Sequence, residues 1–220
     1  GDSRWYDMTA LMIPEPDRKT LDMRAEIVAQ LREIVPGEGV VDTTNGMRVF
    51  ESDGLTAYRQ LPMVVVLPET VQQVSRILKY CQRENIRVVP RGSGTSLSGG
   101  ALPLADAVLL VMSRFNRILD VDLANRTVTA QPGVTNLGIT RAVEAQGFYY
   151  APDPSSQIAC SIGGNVAENS GGVHSLKYGL TAQNVLGVEV VLINGDVVRL
   201  GGKHLDAEGY DLLGLMTGSE

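Results

Sequence analysis

The chain has 220 residues, of which 44% are hydrophobic, and a formal net charge of −6. This length and composition predict a globular protein with a substantial core, and the acidic balance argues against nucleic acid and anionic membrane surfaces as partners. No apolar run approaches the roughly 18 residues of a transmembrane helix, which excludes a membrane-spanning protein.

Residues 1–61 predict an N-terminal arm with one helix. Two prolines indicate an irregular start over residues 1–19, and Leu21 to Val35 carries apolar residues at helical spacing. Pro36-Gly37 ends that helix. Residues 40–59 contain turn signals without clear periodicity, so we expect them to form a connecting arm.

Residues 62–114 predict a βαβ unit, which we treat as a first subdomain. The β-branched run Met63–Leu67 predicts a buried strand, and Thr70-x-x-Gln73 fits a capping box at the start of a helix. The apolar runs Ile86–Val89 and Ala107–Val111 predict two more strands. This order predicts parallel strands joined by a right-handed crossover.

A loop rich in glycine and hydroxyl groups follows the second of these strands, which Pro90 closes. Gly92 to Gly100 contains four glycines and four Ser or Thr residues. Glycine permits positive φ and close backbone approach, so successive N–H groups can converge on an anion, and Arg91 adds a fixed cation. At the carboxyl end of a parallel strand these features predict a diphosphate-binding loop. A flexible loop without a ligand is the alternative.

Two common phosphate loops do not fit this stretch. A Walker loop requires a lysine near its end, and the chain has none between Lys79 and Lys177. The dinucleotide fingerprint G-x-G-x-x-G meets Leu97 at the place of its third glycine, and it should open a helix. The loop therefore belongs to another class of phosphate site.

Residues 115–220 predict a second subdomain with two hairpins. These hairpins are Ile118–Gln131 and Gly187–Leu200, the latter with its turn at Asn194-Gly195. Between them, Thr135 predicts the N-cap of a helix through Gln146, with Gly147 after it. The whole chain is predicted to be α+β, with a small parallel βαβ subdomain beside a larger, mainly antiparallel sheet and flanking helices.

A second glycine-rich region lies between the two hairpins. It consists of Pro152–Ser156, Ser161–Asn165 and Asn169–Gly172 and contains two Gly-Gly pairs. With both regions present, the sequence resembles the FAD-binding, PCMH-type domain of the p-cresol methylhydroxylase and vanillyl-alcohol oxidase superfamily. It is most similar to the family of the glycolate oxidase flavin subunit and the FAD-linked D-lactate and D-2-hydroxyglutarate dehydrogenases. Pro90–Ser96, Pro152–Pro154 and Gly163–Asn165 carry the resemblance, which extends from about Pro62 to Glu220.

The resemblance implies the residues of an FAD site. The first loop would surround the pyrophosphate, and the second region would line the ribityl chain and flavin. The strand from Val185 to Val191 would meet the adenosine end, with an ordinary core strand as the alternative. The implied cofactor contacts are Pro90, Arg91, Gly92, Ser93, Gly94, Thr95, Ser96, Leu97, Ser98, Pro152, Asp153, Pro154, Ser155, Ser156, Ser161, Gly163, Gly164, Asn165, Asn169, Gly171, Gly172, Tyr178, Gly179, Val185 and Val191.

Some relatives in the superfamily bind FAD covalently through a histidine of the first loop. Gly92–Gly100 has neither histidine nor cysteine, so we expect noncovalent FAD. Cys160 is expected to be a small packed residue and His204 a surface residue. His174 is the one candidate base near the site; the alternative is that the catalytic groups and any metal come from a later domain. Two cysteines without C-x-x-C spacing and two histidines predict no metal site in this chain.

The resemblance implies that the protein helps to oxidise a small D-2-hydroxy acid, such as glycolate or D-lactate, to its 2-oxo acid. The substrate would bind through a domain beyond residue 220, the chain alone would be inactive, and partner subunits would carry electrons onward. A sugar nucleotide or a phenol is the alternative substrate. A flavin- or nucleotide-holding module that catalyses nothing is the alternative function. We expect a cytoplasmic protein with reduced thiols, or one held at the inner membrane through partners.

Overall fold

The computed structural model describes residues 13–203 and 209–220. The predictions for the first part of the arm, residues 1–12, and for His204 lie outside these ranges. None of the helices in the described ranges is long and apolar enough to cross a lipid bilayer.

A four-stranded sheet forms the centre of the first half of the chain. Its strands are β1 (Val40–Val41), β2 (Val64–Val66), β3 (Arg87–Arg91) and β4 (Ala107–Val111), in the order β1-β2-β4-β3. β2, β4 and β3 run parallel, as the sequence predicts, and β1 pairs antiparallel with β2. β4 lies between the two strands of the predicted βαβ unit, so β2 and β3 are not neighbours.

Strand β3 is longer than the sequence predicts. The prediction that Pro90 closes the strand is wrong, because Pro90 pairs with Leu110 and Arg91 pairs with Val111. β3 is an edge strand of this sheet, and an edge position tolerates a residue without an N–H donor. As a result, Arg91 belongs to the strand, and the glycine-rich loop begins directly at the carboxyl edge of the sheet.

Helices from the N-terminal arm and from the first subdomain cover one face of the sheet. The predicted helix over 21–35 is two helices, α1 (Arg18–Asp22) and α2 (Arg24–Ile34), and α4 (Val71–Arg83) packs beside α2. Ile27, Leu31 and Ile77 are fully buried there, in one cluster with residues of β2 and β4. This packing explains why the apolar positions of α2 and α4 repeat at helical spacing.

The start of α4 differs slightly from the predicted capping box. The Thr70 side chain accepts a hydrogen bond from the Gln73 N–H at 3.2 Å, as predicted. The Gln73 side chain instead accepts from the N–H of Glu69 at 2.7 Å, one residue before the cap. The first bond satisfies the N–H of Gln73 in the first turn, and the second holds the residue before the cap instead of the N–H of the cap itself.

The predicted connecting arm contributes to the other face of the sheet. It contains β1 and the short helix α3 (Thr44–Met47). Met47 packs in a second cluster with Val65, Val89 and Leu109, which point away from α4. The lack of periodicity in this segment reflects the shortness of its elements, because two to four residues do not complete a pattern.

The second half of the chain contains the two predicted hairpins and several short helices. β5 (Ile118–Asp122) pairs with β6 (Thr127–Ala130), and β7 (Gly187–Val191) pairs with β8 (Val197–Gly201). The helices are α5 (Asn136–Val143), α6 (Ile162–Glu168), α7 (Ser175–Tyr178), α8 (Thr181–Asn184) and α9 (Leu212–Met216). Thr135 caps α5 as predicted, and Gly147 has a φ of +79° after a final 3₁₀ turn.

The α+β class is confirmed, but the antiparallel part has a different form from the one predicted. In the described ranges the two hairpins are separate two-stranded ladders, and the four-stranded sheet is the larger one. Most hairpin residues are exposed or only half-buried, in contrast to the buried β4. Within these ranges, each hairpin strand pairs only with the other strand of its own hairpin.

Candidate functional site

The glycine-rich loop after β3 presents a row of free backbone donors. Gly94 and Gly99 have φ values of +70° and +88°, a backbone conformation that glycine adopts without strain. Among the described residues, the N–H groups of Ser93, Gly94, Thr95 and Ser96 have no protein acceptor. Consecutive free N–H groups in such a loop form a concave anion-binding surface. We call residues 92–100 the diphosphate loop.

Arg91 lies behind the diphosphate loop and is largely buried. Its guanidinium donates to the carbonyls of Phe50 at 3.4 Å, Ser52 at 2.8 Å and Ala101 at 3.2 Å. Burial lowers the pKa of Arg91, and the negative charge of Asp53 opposes that shift. The structure thus gives Arg91 a role in holding the loop, and direct contact with a phosphate stays a prediction.

The two glycine-rich regions meet at Ser161. The Ser161 N–H donates to the Ser93 hydroxyl at 3.2 Å. A side chain on Gly92 would overlap the Ser161 hydroxyl and would lie 3.8 Å from the Gly164 nitrogen. The structure therefore brings together residues that are about seventy positions apart in the sequence, as a shared cofactor site requires.

The first turn of α6 has few donors left for a ligand. The N–H groups of Ile162, Gly163 and Gly164 donate to the Val134 carbonyl, the Pro132 carbonyl and the Ser161 hydroxyl, at 2.8, 2.8 and 3.3 Å. A Cβ on Gly163 would lie 2.6 Å from Cβ of Pro132. Gly163 therefore allows close packing, and the free N–H donors come from the diphosphate loop.

Buried asparagines fix the second region. Asn136 is fully buried, and its side-chain amide donates to the Pro152 carbonyl at 2.8 Å. Asn165 is also buried, and its amide nitrogen has no partner among the described residues. The sequence did not indicate Asn136, whose only signal was an amide in the first turn of the helix. An orphaned amide donor such as that of Asn165 fits an oxygen-rich ligand.

Residues 152–156 and 169–172 form a tightly packed wall beside α6. The Pro154 carbonyl accepts from the Gln157 N–H at 2.8 Å, while Ser155 is exposed. Asn169 has a φ of 51°, and its side chain accepts from the Ala182 N–H at 2.9 Å. Side chains on the wall's glycines would overlap their neighbours: Gly171 against Leu180 and Gly172 against Asp153. Close packing accounts for these two glycines.

His174 is oriented by Asp153. The Asp153 carboxylate accepts from the His174 backbone N–H at 3.2 Å and lies 2.8 Å from the ring Nδ1. The rings of Tyr149 and Tyr178 lie 6.4 Å from that of His174, and the His174 side chain is half exposed. Interaction between the two tyrosine side chains raises the pKa of Tyr149 and lowers the pKa of Tyr178. The sequence indicated His174 and Tyr178 but not Tyr149.

The remaining predicted contacts lie at the periphery. Val191 packs against the main core, as the alternative for this strand proposed, and Val185 is half-buried. Gly179 follows α7 with a φ of +80°. Glu220, which the sequence did not indicate, accepts a hydrogen bond from the Ser98 hydroxyl in the diphosphate loop. Contact of these residues with a cofactor stays a prediction.

The hydrogen-bond donors of this site fit a dinucleotide ligand. The diphosphate loop supplies free N–H donors, and Asn165, which follows Gly164 in the second region, supplies an orphaned donor. The sequence pattern of the family described as FAD binding domain matches residues 62–201. The chain belongs to this FAD-binding family. FAD is its cofactor, as the sequence analysis predicted.

Two glycolate oxidase subunits and a D-2-hydroxyglutarate dehydrogenase are similar to this chain. The glycolate oxidase subunit GlcD of Escherichia coli K12 is 55% identical over 197 residues, which are 90% of this chain and 40% of that protein. GlcD of Bacillus subtilis is 44% identical over 89% of this chain and 42% of its own length. The mitochondrial D-2-hydroxyglutarate dehydrogenase of Arabidopsis thaliana is 34% identical over 88% of this chain and 35% of its own length. The chain thus spans about 40% of the GlcD proteins that it matches.

Solved structures confirm the PCMH-type fold. Substrate-bound p-cresol methylhydroxylase aligns with a TM-score of 0.73 at 20% identity, over 92% of this chain and 41% of that one. An alkyldihydroxyacetonephosphate synthase aligns with a TM-score of 0.77 at 22% identity, over 96% of this chain and 39% of its own. At these identities the likeness establishes the architecture alone.

Proposed function

We propose that this protein provides the FAD-binding part of an oxidoreductase that converts a small D-2-hydroxy acid to its 2-oxo acid. The observation that carries the proposal is the 55% identity to a glycolate oxidase subunit across 90% of the chain. The D-2-hydroxyglutarate dehydrogenases, whose named substrate is also a 2-hydroxy acid, match over a similar share. Glycolate and D-lactate are therefore the first substrates to test.

The chain's own task in this reaction is to hold and orient the cofactor. When bound, FAD accepts the two electrons that leave the carbon bearing the hydroxyl group. Ser93 to Ser96 would direct their N–H groups to the diphosphate, and Asn165 would donate its side-chain amide to the cofactor. The tightly packed wall that contains Gly171 and Gly172 would limit the space beside the flavin ring. Tyr178 and Gly179 would extend this wall, and Val185 would lie toward the adenosine end.

We expect the cofactor to be held without a covalent bond. The diphosphate loop contains no histidine or cysteine, Cys160 is buried, and the His174 ring is engaged by Asp153. Acid precipitation of the purified holoprotein should release all of the flavin into the supernatant. Yellow colour retained in the pellet would contradict this expectation.

His174 is the candidate for accepting the hydroxyl proton of the substrate. Asp153 fixes Nδ1, which leaves Nε2 as the nitrogen available for proton transfer. The ring is half exposed beside Tyr149 and Tyr178, so a substrate can approach it. A base contributed by another part of the full-length protein is the competing proposal, and His174→Ala separates the two.

Partner subunits are proposed as the route by which electrons leave. The similar bacterial proteins are named as subunits of glycolate oxidase, which places the corresponding chains in assemblies. We propose the same arrangement for the full-length form of this protein, with contacts to the membrane only through those partners.

Anaerobic mixing tests the proposed activity. The full-length, FAD-loaded protein is mixed with glycolate, D-lactate or D-2-hydroxyglutarate, and flavin absorbance is followed. Bleaching by at least one of them, but not by L-lactate, is the expected result. Stable FAD binding without bleaching by any of these acids would contradict the enzyme and favour the non-catalytic, flavin-holding module.

A further inference from the structure

A short segment ahead of the matched family domain contacts the diphosphate loop from behind. This segment, Phe50–Gly54, is called the bracing segment here; the family match begins only at residue 62. Arg91 donates to its carbonyls at Phe50 and Ser52, at 3.4 and 2.8 Å. The Gly54 N–H donates to the Ser96 carbonyl at 2.9 Å. The bracing segment is thus bonded to Arg91, two residues before the donor row, and to Ser96, the last residue of that row.

Gly54 fits against the loop only because it lacks a side chain. A Cβ at this position would lie 2.6 Å from the Thr95 carbonyl oxygen and 2.8 Å from that of Ser96. Real Cβ atoms essentially never come this close to carbonyl oxygens. Since Gly54 does not have a positive φ, the glycine is required for this approach and not for the backbone turn.

Asp53 adds a buried charge to the same segment. Its Oδ1 accepts from the Leu55 N–H at 2.9 Å, while Oδ2 is buried without a partner among the described residues. A buried carboxylate needs a compensating cation, and Arg91 is the buried cation that feels its field. Arg91 therefore links the bracing segment to the strand that carries the loop, and the Asp53 carboxylate acts on Arg91 through its electric field.

We propose that the bracing segment is a positioning element of the cofactor site, which sets the shape of the diphosphate loop and extends the site beyond the matched domain. This inference rests on the proposed binding of FAD at that loop. A loop held in its binding shape before the ligand arrives binds more tightly, because less ordering is needed on binding. The segment therefore contributes to affinity without touching the ligand.

Gly54→Ala is the first test, with Gly39→Ala as its matched control. Both substitutions place a methyl group in an occupied space, but Gly39 packs on Val35 beside the opposite edge strand of the sheet. The dissociation constants for FAD and for ADP, which carries adenosine and the diphosphate without the flavin, are measured on the folded apoprotein. We expect Gly54→Ala to weaken both by at least about tenfold and Gly39→Ala to change neither. Equal affinities for the Gly54→Ala and unsubstituted proteins would overturn the inference.

Asp53→Asn tests the buried charge, with Asp106→Asn as its control. Asp106 is also buried beside an arginine, Arg87 at 3.2 Å, but at the opposite end of β3 from the loop. We expect Asp53→Asn to lose at least about tenfold in FAD and ADP affinity, with riboflavin affinity unchanged because riboflavin has no phosphate. Asp106→Asn should keep all three. Unchanged or tighter FAD binding in Asp53→Asn would overturn this role. Absence of FAD binding by the unsubstituted protein would instead overturn the proposed function.

Discussion

Gly94 is the residue of the diphosphate loop whose substitution should affect FAD binding most directly. Its φ of +70° costs an alanine about 1 kcal/mol, and an added methyl would overlap the Arg91 guanidinium. That guanidinium cannot move aside freely, because it donates to three backbone carbonyls. We expect Gly94→Ala to weaken FAD binding by about tenfold to a hundredfold, as measured by flavin titration.

Gly99→Ala is the matched control for that prediction. Gly99 also has a positive φ, +88°, but an added methyl there meets no atom within 4 Å. Both variants carry the backbone strain, so their difference isolates the overlap with Arg91. Equal FAD affinities in the two variants would contradict the proposed contact between Gly94 and Arg91.

Cys81 should be unreactive in the folded protein. Its thiol is fully buried on α4, and burial raises its pKa from 9.0 to about 12. At about pH 8 the thiol is protonated, so a thiol reagent should label Cys81 in a Cys160→Ser background only as the chain unfolds. Labelling of native protein much faster than unfolding would contradict this prediction.

The same pKa difference gives Cys81 a defined effect on stability at alkaline pH. Because the folded pKa lies above the unfolded value of 9.0, the contribution is complete below about pH 9. It is lost as pH rises from there toward 12. Urea unfolding at about pH 8 and pH 10 should therefore show a smaller alkaline loss of stability in Cys81→Ala than in the unsubstituted chain.

At the scale of single elements, the N-cap of α4 is the clearest target. Thr70 accepts the Gln73 N–H at the start of a 13-residue helix whose inner face lies in the main core. Thr70→Ala should lower the free energy of unfolding by about 1 kcal/mol, measured in urea, without changing FAD affinity. Thr70→Ser, which keeps the hydroxyl acceptor, is the control and should recover most of the loss. An alanine variant as stable as the serine variant would contradict the role of the cap.

Elements with strong local signals were predictable from the sequence, whereas their arrangement was not. The cap and apolar spacing of α4 each depend on residues only a few positions apart. The same holds for the Asn194-Gly195 turn of the β7–β8 hairpin. The two-residue strand β1 and the position of β4 between β2 and β3 depend on distant pairings. No local pattern records such pairings. The strand order, and the fact that the two hairpins do not share a sheet, therefore became clear only in the structure.

The candidate site shows the same division. Glycine-rich segments identified both halves of the site, because close backbone approach requires glycine wherever it occurs. The sequence could not separate glycines that face a ligand from those that allow packing, such as Gly163 against Pro132. It also missed the bracing segment, since Arg91 reaches carbonyls 39 and 41 positions away.

At the scale of the whole molecule, residues on both sides of position 61 share one core. Side chains of α2 and α4 pack in the same cluster as those of β2 and β4. The three predicted units, 1–61, 62–114 and 115–220, stay predictions as domain boundaries. The shared cluster nevertheless indicates that the arm stabilises the matched FAD-binding domain, which begins at residue 62.

Leu31→Ala tests this dependence. Leu31 lies outside the matched domain and is fully buried, so its truncation should lower the free energy of unfolding by about 2–5 kcal/mol. That is a large share of the roughly 5–15 kcal/mol that stabilises a typical domain. Val49→Ala, in the same arm but 75% exposed, is the control, and its free energy of unfolding should stay within about 0.5 kcal/mol of that of the unsubstituted chain.

Saturating FAD should raise the stability of Leu31→Ala by the same increment as that of the unsubstituted chain, because no contact of the diphosphate loop is lost. Gly94→Ala should instead lose less stability than Leu31→Ala and show a reduced increment with FAD. If Leu31→Ala unfolded at the same urea concentration as Val49→Ala, the arm would be an appendage, and the matched domain would be stable without it.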